Sequence, residues 1–87
     1  MVEQTPLDRL FHALANDARR DMLDRLAAED LTVGALAEPL AMSFAGASKH
    51  VKVLEQAGLI ERTVEGRQHR CRLCAAALEP ASAWLQR

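Results

Sequence analysis

A chain of 87 residues with a net charge of -1 makes one small domain, and its core is marginal on its own. Apolar residues are 49% of the chain and aromatic ones 3%, so that core is built mostly from Leu, Ala and Val. No apolar run is long enough to span a membrane, two cysteines are too few for a disulfide framework, and the start MVEQTPLDRL lacks the blocks of a secretion signal. A cytoplasmic protein with no membrane partner is the expectation.

The first helix has a clear start. Thr5 can cap it, Pro6 fits the first helical position, and Asp8 suits the positive end. Leu7, Leu10, Phe11 and Leu14 then repeat at i, i+3, i+4 and i+7. Asn16-Asp17 interrupts this pattern, and Asp17 is the expected cap of a second helix. That helix buries Ala18, Met22, Leu23 and Leu26 and ends near Glu29-Asp30. Thr32 caps a third, with Val33, Leu36, Ala37 and Leu40 on one face. Pro39 makes this helix short or distorted.

Ala41-Met42 form a tight connection, and Ser43 caps a fourth helix that runs to Ala57. Its apolar stripe is Phe44, Ala47, Val51 and Leu54. The opposite face carries Ala45, Ser48, Lys49, Lys52 and Gln56, which begins small and turns basic. Gly58 fits a left-handed helix stop, with Leu59 placed to pack back. The period then changes to two. Ile60 and Val64 alternate with Glu61, Thr63 and Glu65, and Glu65-Gly66-Arg67 supplies a turn. In the return strand, Gln68 to Leu73, the residues His69, Cys71 and Leu73 share one face, while Gln68, Arg70 and Arg72 share an arginine-rich outer one. A last helical segment, Ala75 to Gln86, carries Leu78, Trp84 and Leu85, and Pro80 bends it or delays its start.

The expected fold is mainly α with a β-hairpin wing over residues 60–73, in the order helix, helix, helix, helix, strand, strand, helix. A short helix, a tight turn and an amphipathic helix make a helix-turn-helix, and the hairpin after it makes it winged. In such a unit the second helix enters the major groove of DNA with its N-terminal residues near base edges. That requirement accounts for the small and basic face. Ser43, Ala45, Ser48, Lys49, His50, Lys52 and Gln56 are candidate contacts, with Arg62, Arg67 and Arg70 in the wing. The charge distribution agrees. Residues 1–42 hold four basic and eight acidic side chains, whereas residues 43–73 hold six basic and three acidic ones. Each feature alone is most often plain surface; the DNA-binding reading rests on their order and spacing.

The run SKHVKVLEQAGLIERTVEGRQHRCRL, with the segment LDRLFHALANDARRDMLDRL before it, resembles the ArsR/SmtB family of bacterial winged-helix repressors. The resemblance covers nearly the whole chain. It implies a dimeric, DNA-binding transcriptional regulator, usually a repressor released by a ligand, and it places recognition contacts on Phe44, Ala45, Ser48 and Lys49 and wing contacts near Arg67. Two departures stand out. The family's cysteine metal site belongs in the third helix, which here reads LTVGALAEPL, and its second site needs Asp, His and Glu in the last helix, which here reads AAALEPASAWLQR. No metal or other cofactor is therefore expected, and any small-molecule effector is unidentified.

Cys71 and Cys74 form a single C-x-x-C, short of the two pairs that a structural zinc site uses. Cys71 reads as a buried thiol and Cys74 as the more exposed of the two. A thiol-based redox repressor is one alternative, and a winged helix for protein–protein assembly is another. An enzyme is set aside, since no nucleophile is set beside a base and no glycine-rich phosphate loop is present. A two-fold dimer is expected through Leu7, Leu10, Phe11 and Leu14 of the first helix and Leu78, Trp84 and Leu85 of the last. Trp84 plugging the monomer's own core is the competing reading.

Overall fold

Thr5, Asn16, Thr32 and Ser43 open the first four helices of the computed structural model, which describes residues 4–87. Residues 1–3, part of the start read for a secretion signal and including the acidic Glu3, lie outside the described residues. In α1 (Pro6–Leu14) the cap is reciprocal: the Asp8 amide donates to Thr5 Oγ1 at 3.1 Å, and the Thr5 amide donates to Asp8 Oδ2 at 3.0 Å. For α2 (Asp17–Leu26) the cap is Asn16 and not Asp17. Asn16 is extended (φ -139°, ψ 131°) and its side-chain oxygen accepts from the Arg19 amide at 3.1 Å, while Asp17 is already helical. Ala18, expected in the core, is half-buried.

Thr32 caps α3 (Val33–Ala37) through the Ala35 amide and also ends a two-residue strand, β1 (Leu31–Thr32). Pro39 converts the next turn to a 3-10 helix, Glu38–Leu40, and Ala41 turns the chain with φ 51°. Helix α4 (Phe44–Gln56) follows, capped by Ser43 on the Gly46 amide at 3.0 Å. It ends in a Schellman stop. Gly58 takes φ 76°, its amide donates to the Glu55 carbonyl, and the Leu59 amide donates to the Leu54 carbonyl, both at 3.0 Å. Leu59 and Leu54 are fully buried, so the stop also closes the core.

Strands β2 (Ile60–Glu65) and β3 (Gln68–Leu73) are joined by Gly66-Arg67, with φ 62° at the glycine, as a two-residue primed turn requires. The sheet has three strands, not two, in the order β1-β3-β2, with Leu31 opposite Cys71 and Thr32 opposite Arg70. A strand of two residues is too short to show alternation, so β1 left no periodic signal. Pro80 sits in the first turn of α5 (Glu79–Leu85), after a 3-10 turn over Ala75–Leu78. Proline is tolerated there because the first amides of a helix have no partner within it, so Pro80 delays the helix and does not bend it.

The core gathers Leu10 and Ala13 from α1, Met22, Leu23 and Leu26 from α2, Val33 and Leu36 from α3, and Ala47, Val51 and Leu54 from α4. Ala37 of α3, Leu59, Ile60, Cys71 and Ala81 complete it. Three arginines of α2 hold neighbouring helix ends. Arg19 donates to the carbonyls of Ala13 and His12, both at 2.8 Å, and Arg20 to that of Leu14 at 2.8 Å. The Ala13 and Leu14 carbonyls lie in the last turn of α1, where the helix supplies no further amide, while the His12 carbonyl also accepts from the Ala15 amide at 3.2 Å. Arg25 does the same for α3, reaching Ala35 and Leu36, while its Nε bonds Asp21 at 3.1 Å.

Candidate nucleic-acid interface

Helix α4 is fixed to the core by Ala47, Val51 and Leu54, each fully buried. Phe44 does not join them: it is 59% exposed, because the first turn of α4 overhangs the domain. The inward stripe is Ala47, His50, Val51 and Leu54. Phe44, Ala45, Lys49 and Lys52 are exposed along the outward face, and Ser48 is half-buried at its margin. The cap leaves Ser43 exposed at the head of the same helix. Gln56 is exposed at the other end, where with Val53 and Ala57 it borders a cleft formed with Gln4, Arg9 and His12 near α1. It lies one turn beyond Lys52.

His50 points the other way. Its Nδ1 lies 3.3 Å from Arg19 Nη1, and since a guanidinium can only donate, that nitrogen is the acceptor of a neutral imidazole. Burial pulls the His50 pKa below the ordinary imidazole range, and the positive Arg19 pulls it further down. Arg19 is itself buried, 8% exposed. The structure therefore uses His50 to join α4 to α2.

The wing divides its arginines in the same way. Arg62 shares the inner face with Ile60 and lies opposite Cys71 on β3. Its Nη2 donates to Glu55 Oε1 at 2.9 Å, and its Nη1 lies 3.4 Å from His69 Nδ1. Arg62 thus ties the wing to the C-terminal turn of α4. The outer face is not a basic surface. Arg70 is 3.5 Å from Glu65, Arg72 is 3.5 Å from Asp30, and Thr63 and Glu61 stand opposite them in register. Arg67 is exposed in the two-residue turn. Lys49, Lys52 and Arg67 enter no ion pair among the described residues.

Two of these roles had a signal in the sequence. His50 fits i, i+3, i+4, i+7 with Ala47, Val51 and Leu54 better than Phe44 does, and Arg62 falls between Ile60 and Val64 at period two. Cys71 is fully buried and Cys74 half-buried. Burial raises both thiol pKa values; at Cys74 the Glu61 carboxylate raises it further, against an opposing Arg72. Neither is set up as a thiolate. Among the described residues, no three His, Cys, Asp or Glu side chains group as metal ligands would, and no helix is long and apolar enough to cross a membrane.

Helix α1 also meets α5. Phe11 and Trp84 make an edge-to-face contact with ring centroids 5.8 Å apart. Leu10 is only 3% exposed and belongs to the monomer's core, so it drops out of the expected dimer surface. Leu7, Phe11, Leu14 and Leu78 are half-buried, whereas Trp84 and Leu85 are 46% and 67% exposed.

Residues 14–63, more than half of the chain, match a family described as a helix-turn-helix domain. The crystal structure of an ArsR family transcriptional regulator superposes with a TM-score of 0.89, at 34% identity over 94% of this chain and 90% of that one. The solution structure of a homodimeric winged helix-turn-helix DNA-binding domain from Mycobacterium bovis, itself a possible ArsR-family regulator, gives 0.77 at 29% identity over 99% and 87%. The HTH-type transcriptional regulator Rv2034 of Mycobacterium tuberculosis is 45% identical over 53 residues, 61% of this chain; the match spans 50% of that curated relative's length. The fold agrees with these relatives, and the chain belongs to the ArsR family of winged helix-turn-helix transcriptional regulators.

Proposed function

We propose that the chain acts as a homodimeric repressor that binds an imperfect palindrome in duplex DNA, with α4 in the major groove and the β2–β3 hairpin as the wing. The observation that carries this reading is the outward face of α4. It is small at Ala45 and Ser48, basic at Lys49 and Lys52, and unpaired, on a helix whose other side is locked into the core. Small side chains let the backbone approach the groove, and the lysines reach phosphates or purine acceptors. Arg67 at the wing tip adds a third unpaired cation. Arg62, Arg70 and His50 are assigned to the protein itself, and Gln56, one turn beyond Lys52, borders the patch.

The dimer is proposed to form through α1 and α5, where Trp84 and Leu85 are exposed beside Phe11. This leaves both α4 helices free, with half-sites on the order of 34 Å apart. The M. bovis domain supports the reading, being homodimeric with the same fold. The raised Cys74 pKa weighs against a thiol switch.

Titration of duplex DNA at several salt concentrations tests the proposal. Lys49→Ala with Lys52→Ala weakens binding and lowers the salt slope by about 0.9 for each phosphate that is no longer neutralised, with thermal stability nearly unchanged. An unaltered slope removes α4 from the interface. Trp84→Ala shifts sedimentation from dimer toward monomer; a wild type that is monomeric at micromolar concentration, with one protein per footprint, refutes the dimer.

A further inference from the structure

We propose that Phe44 reads the 5-methyl group of a thymine, so that each operator half-site carries a thymine beneath the first turn of α4. The inference rests on the DNA-binding reading above. Phe44 is the first residue of α4, at the end of a recognition helix that lies nearest base edges. Its ring is 59% exposed and has no hydrogen-bonding group, so it can engage neither a phosphate nor a donor or acceptor on a base. The next residues add no reader. Ala45 and Gly46 have no polar side-chain atom, and the first two turns hold no Arg, Asn or Gln, the side chains that read guanine and adenine in bidentate fashion. Ser43 is engaged as the cap and His50 with Arg19, which leaves Ser48 and Lys49 as the polar side chains of those turns with no partner.

The other large exposed apolar residues are placed elsewhere: Val64 on the wing, Trp84 and Leu85 on α5. Among the described residues, Phe44 is the one large exposed apolar side chain on α4. The thymine methyl is the apolar group that the major groove offers, and contact with an apolar side chain is its mode of readout. Specificity at this position then comes from excluding water from a methyl and a ring. Burying one methyl contributes about fourfold in affinity, the equivalent of about 0.8 kcal/mol.

The test is selection of bound duplexes from a synthetic random-sequence pool, in which thymine is the only 5-methyl pyrimidine, followed by a thymine-to-uracil scan of the selected duplex. Uracil keeps every hydrogen bond and removes only the methyl. The expected result is one symmetry-related thymine position at which uracil weakens wild-type binding about fourfold per half-site, or roughly fifteenfold in both. Phe44→Ala removes that sensitivity while keeping the salt slope, and Phe44→Leu keeps part of it. A selected duplex that tolerates uracil at every position overturns the inference and leaves DNA binding standing. So does a uracil effect that survives in Phe44→Ala. If no duplex is enriched and binding shows no salt dependence, the DNA-binding reading falls and this inference with it.

Discussion

Replacing Arg19 with methionine keeps the apolar stem and deletes the donors that close the end of α1. The wild-type side chain serves the carbonyls of Ala13 and His12, both at 2.8 Å, and the imidazole of His50. A hydrogen bond from a charged donor contributes about 1.5–3 kcal/mol net. Ala13 is fully buried, so its carbonyl loses that full amount. His12 is exposed, water can replace the donor there, and the loss is about 0.5–1 kcal/mol. Methionine no longer carries a desolvated charge, which holds the total near the middle of the range, at about 3 kcal/mol. For a domain of this size that lowers the Tm by roughly 12–24 °C. Thermal and urea unfolding of the full chain at one fixed protein concentration measures it, since dimerisation makes the apparent stability depend on concentration. Arg19→Lys falls between, because an ammonium on a flexible stem cannot fork to two carbonyls at once. A loss under about 1 kcal/mol in Arg19→Met would refute the assignment of Arg19 as the staple between α1 and α2.

Three further outcomes are expected. The pKa of His50 is lowered in the folded state, by burial first and then by Arg19, so the stability it contributes is full above its ordinary value of about 6.5 and is lost as pH falls through the lower folded value. Between pH 7 and 5 the wild type loses more stability than His50→Gln, and parallel pH profiles would show that His50 is not the titrating group. Arg62→Ala breaks the 2.9 Å pair with Glu55, in which the arginine side chain is 17% exposed. It costs about 1–2 kcal/mol, between surface and buried pairs; the salt slope of DNA binding stays put, and a drop of about one unit would place Arg62 on a phosphate instead. Cys74 reacts with a disulfide reagent more slowly than a free cysteine at pH 8, because burial and Glu61 raise its pKa, and Glu61→Gln speeds the reaction. A wild-type rate equal to that of the free amino acid contradicts this.

What was legible in the sequence was what is local. Thr5, Thr32 and Ser43 announce helix starts with one side-chain oxygen each, and Gly58 followed by Leu59 announces a stop. These signals act within one turn, so no tertiary partner is needed to read them. Asn16 and Asp17 are both good caps, and the extended backbone of Asn16 decided between them. The site was less legible for a different reason. A basic side chain counts toward a surface only if no acidic group within the fold claims it, and that depends on how a helix end, a hairpin and a loop are set against one another. Arg62 finds Glu55, Arg70 finds Glu65 and Arg72 finds Asp30, which leaves Lys49, Lys52 and Arg67 free out of the segment's six basic side chains. Polar residues at apolar spacing are the second blind point. Arg19 precedes Met22, Leu23 and Leu26 at helical spacing just as His50 accompanies Ala47, Val51 and Leu54, and both turn inward. Phe44 is the converse, an apolar residue at stripe spacing that faces out because it lies past the edge of the core.

The placement of β3 between β1 and β2 bears on how the molecule is assembled. The β2–β3 hairpin can zip from its two-residue turn on its own, a matter of microseconds. Pairing β3 with β1 is another kind of event, because it closes a loop containing all of α3, α4 and the hairpin, and its entropy must be met before the contacts return anything. The helix proposed to enter DNA is thus enclosed in a ring of chain that includes two residue pairs, Leu31 with Cys71 and Thr32 with Arg70. Helix α4 can form early and dock on the core through Ala47, Val51 and Leu54, and the clasp then closes the chain around it. Fraying at Leu31 and Thr32 would slacken that ring before it cost α4 a single turn.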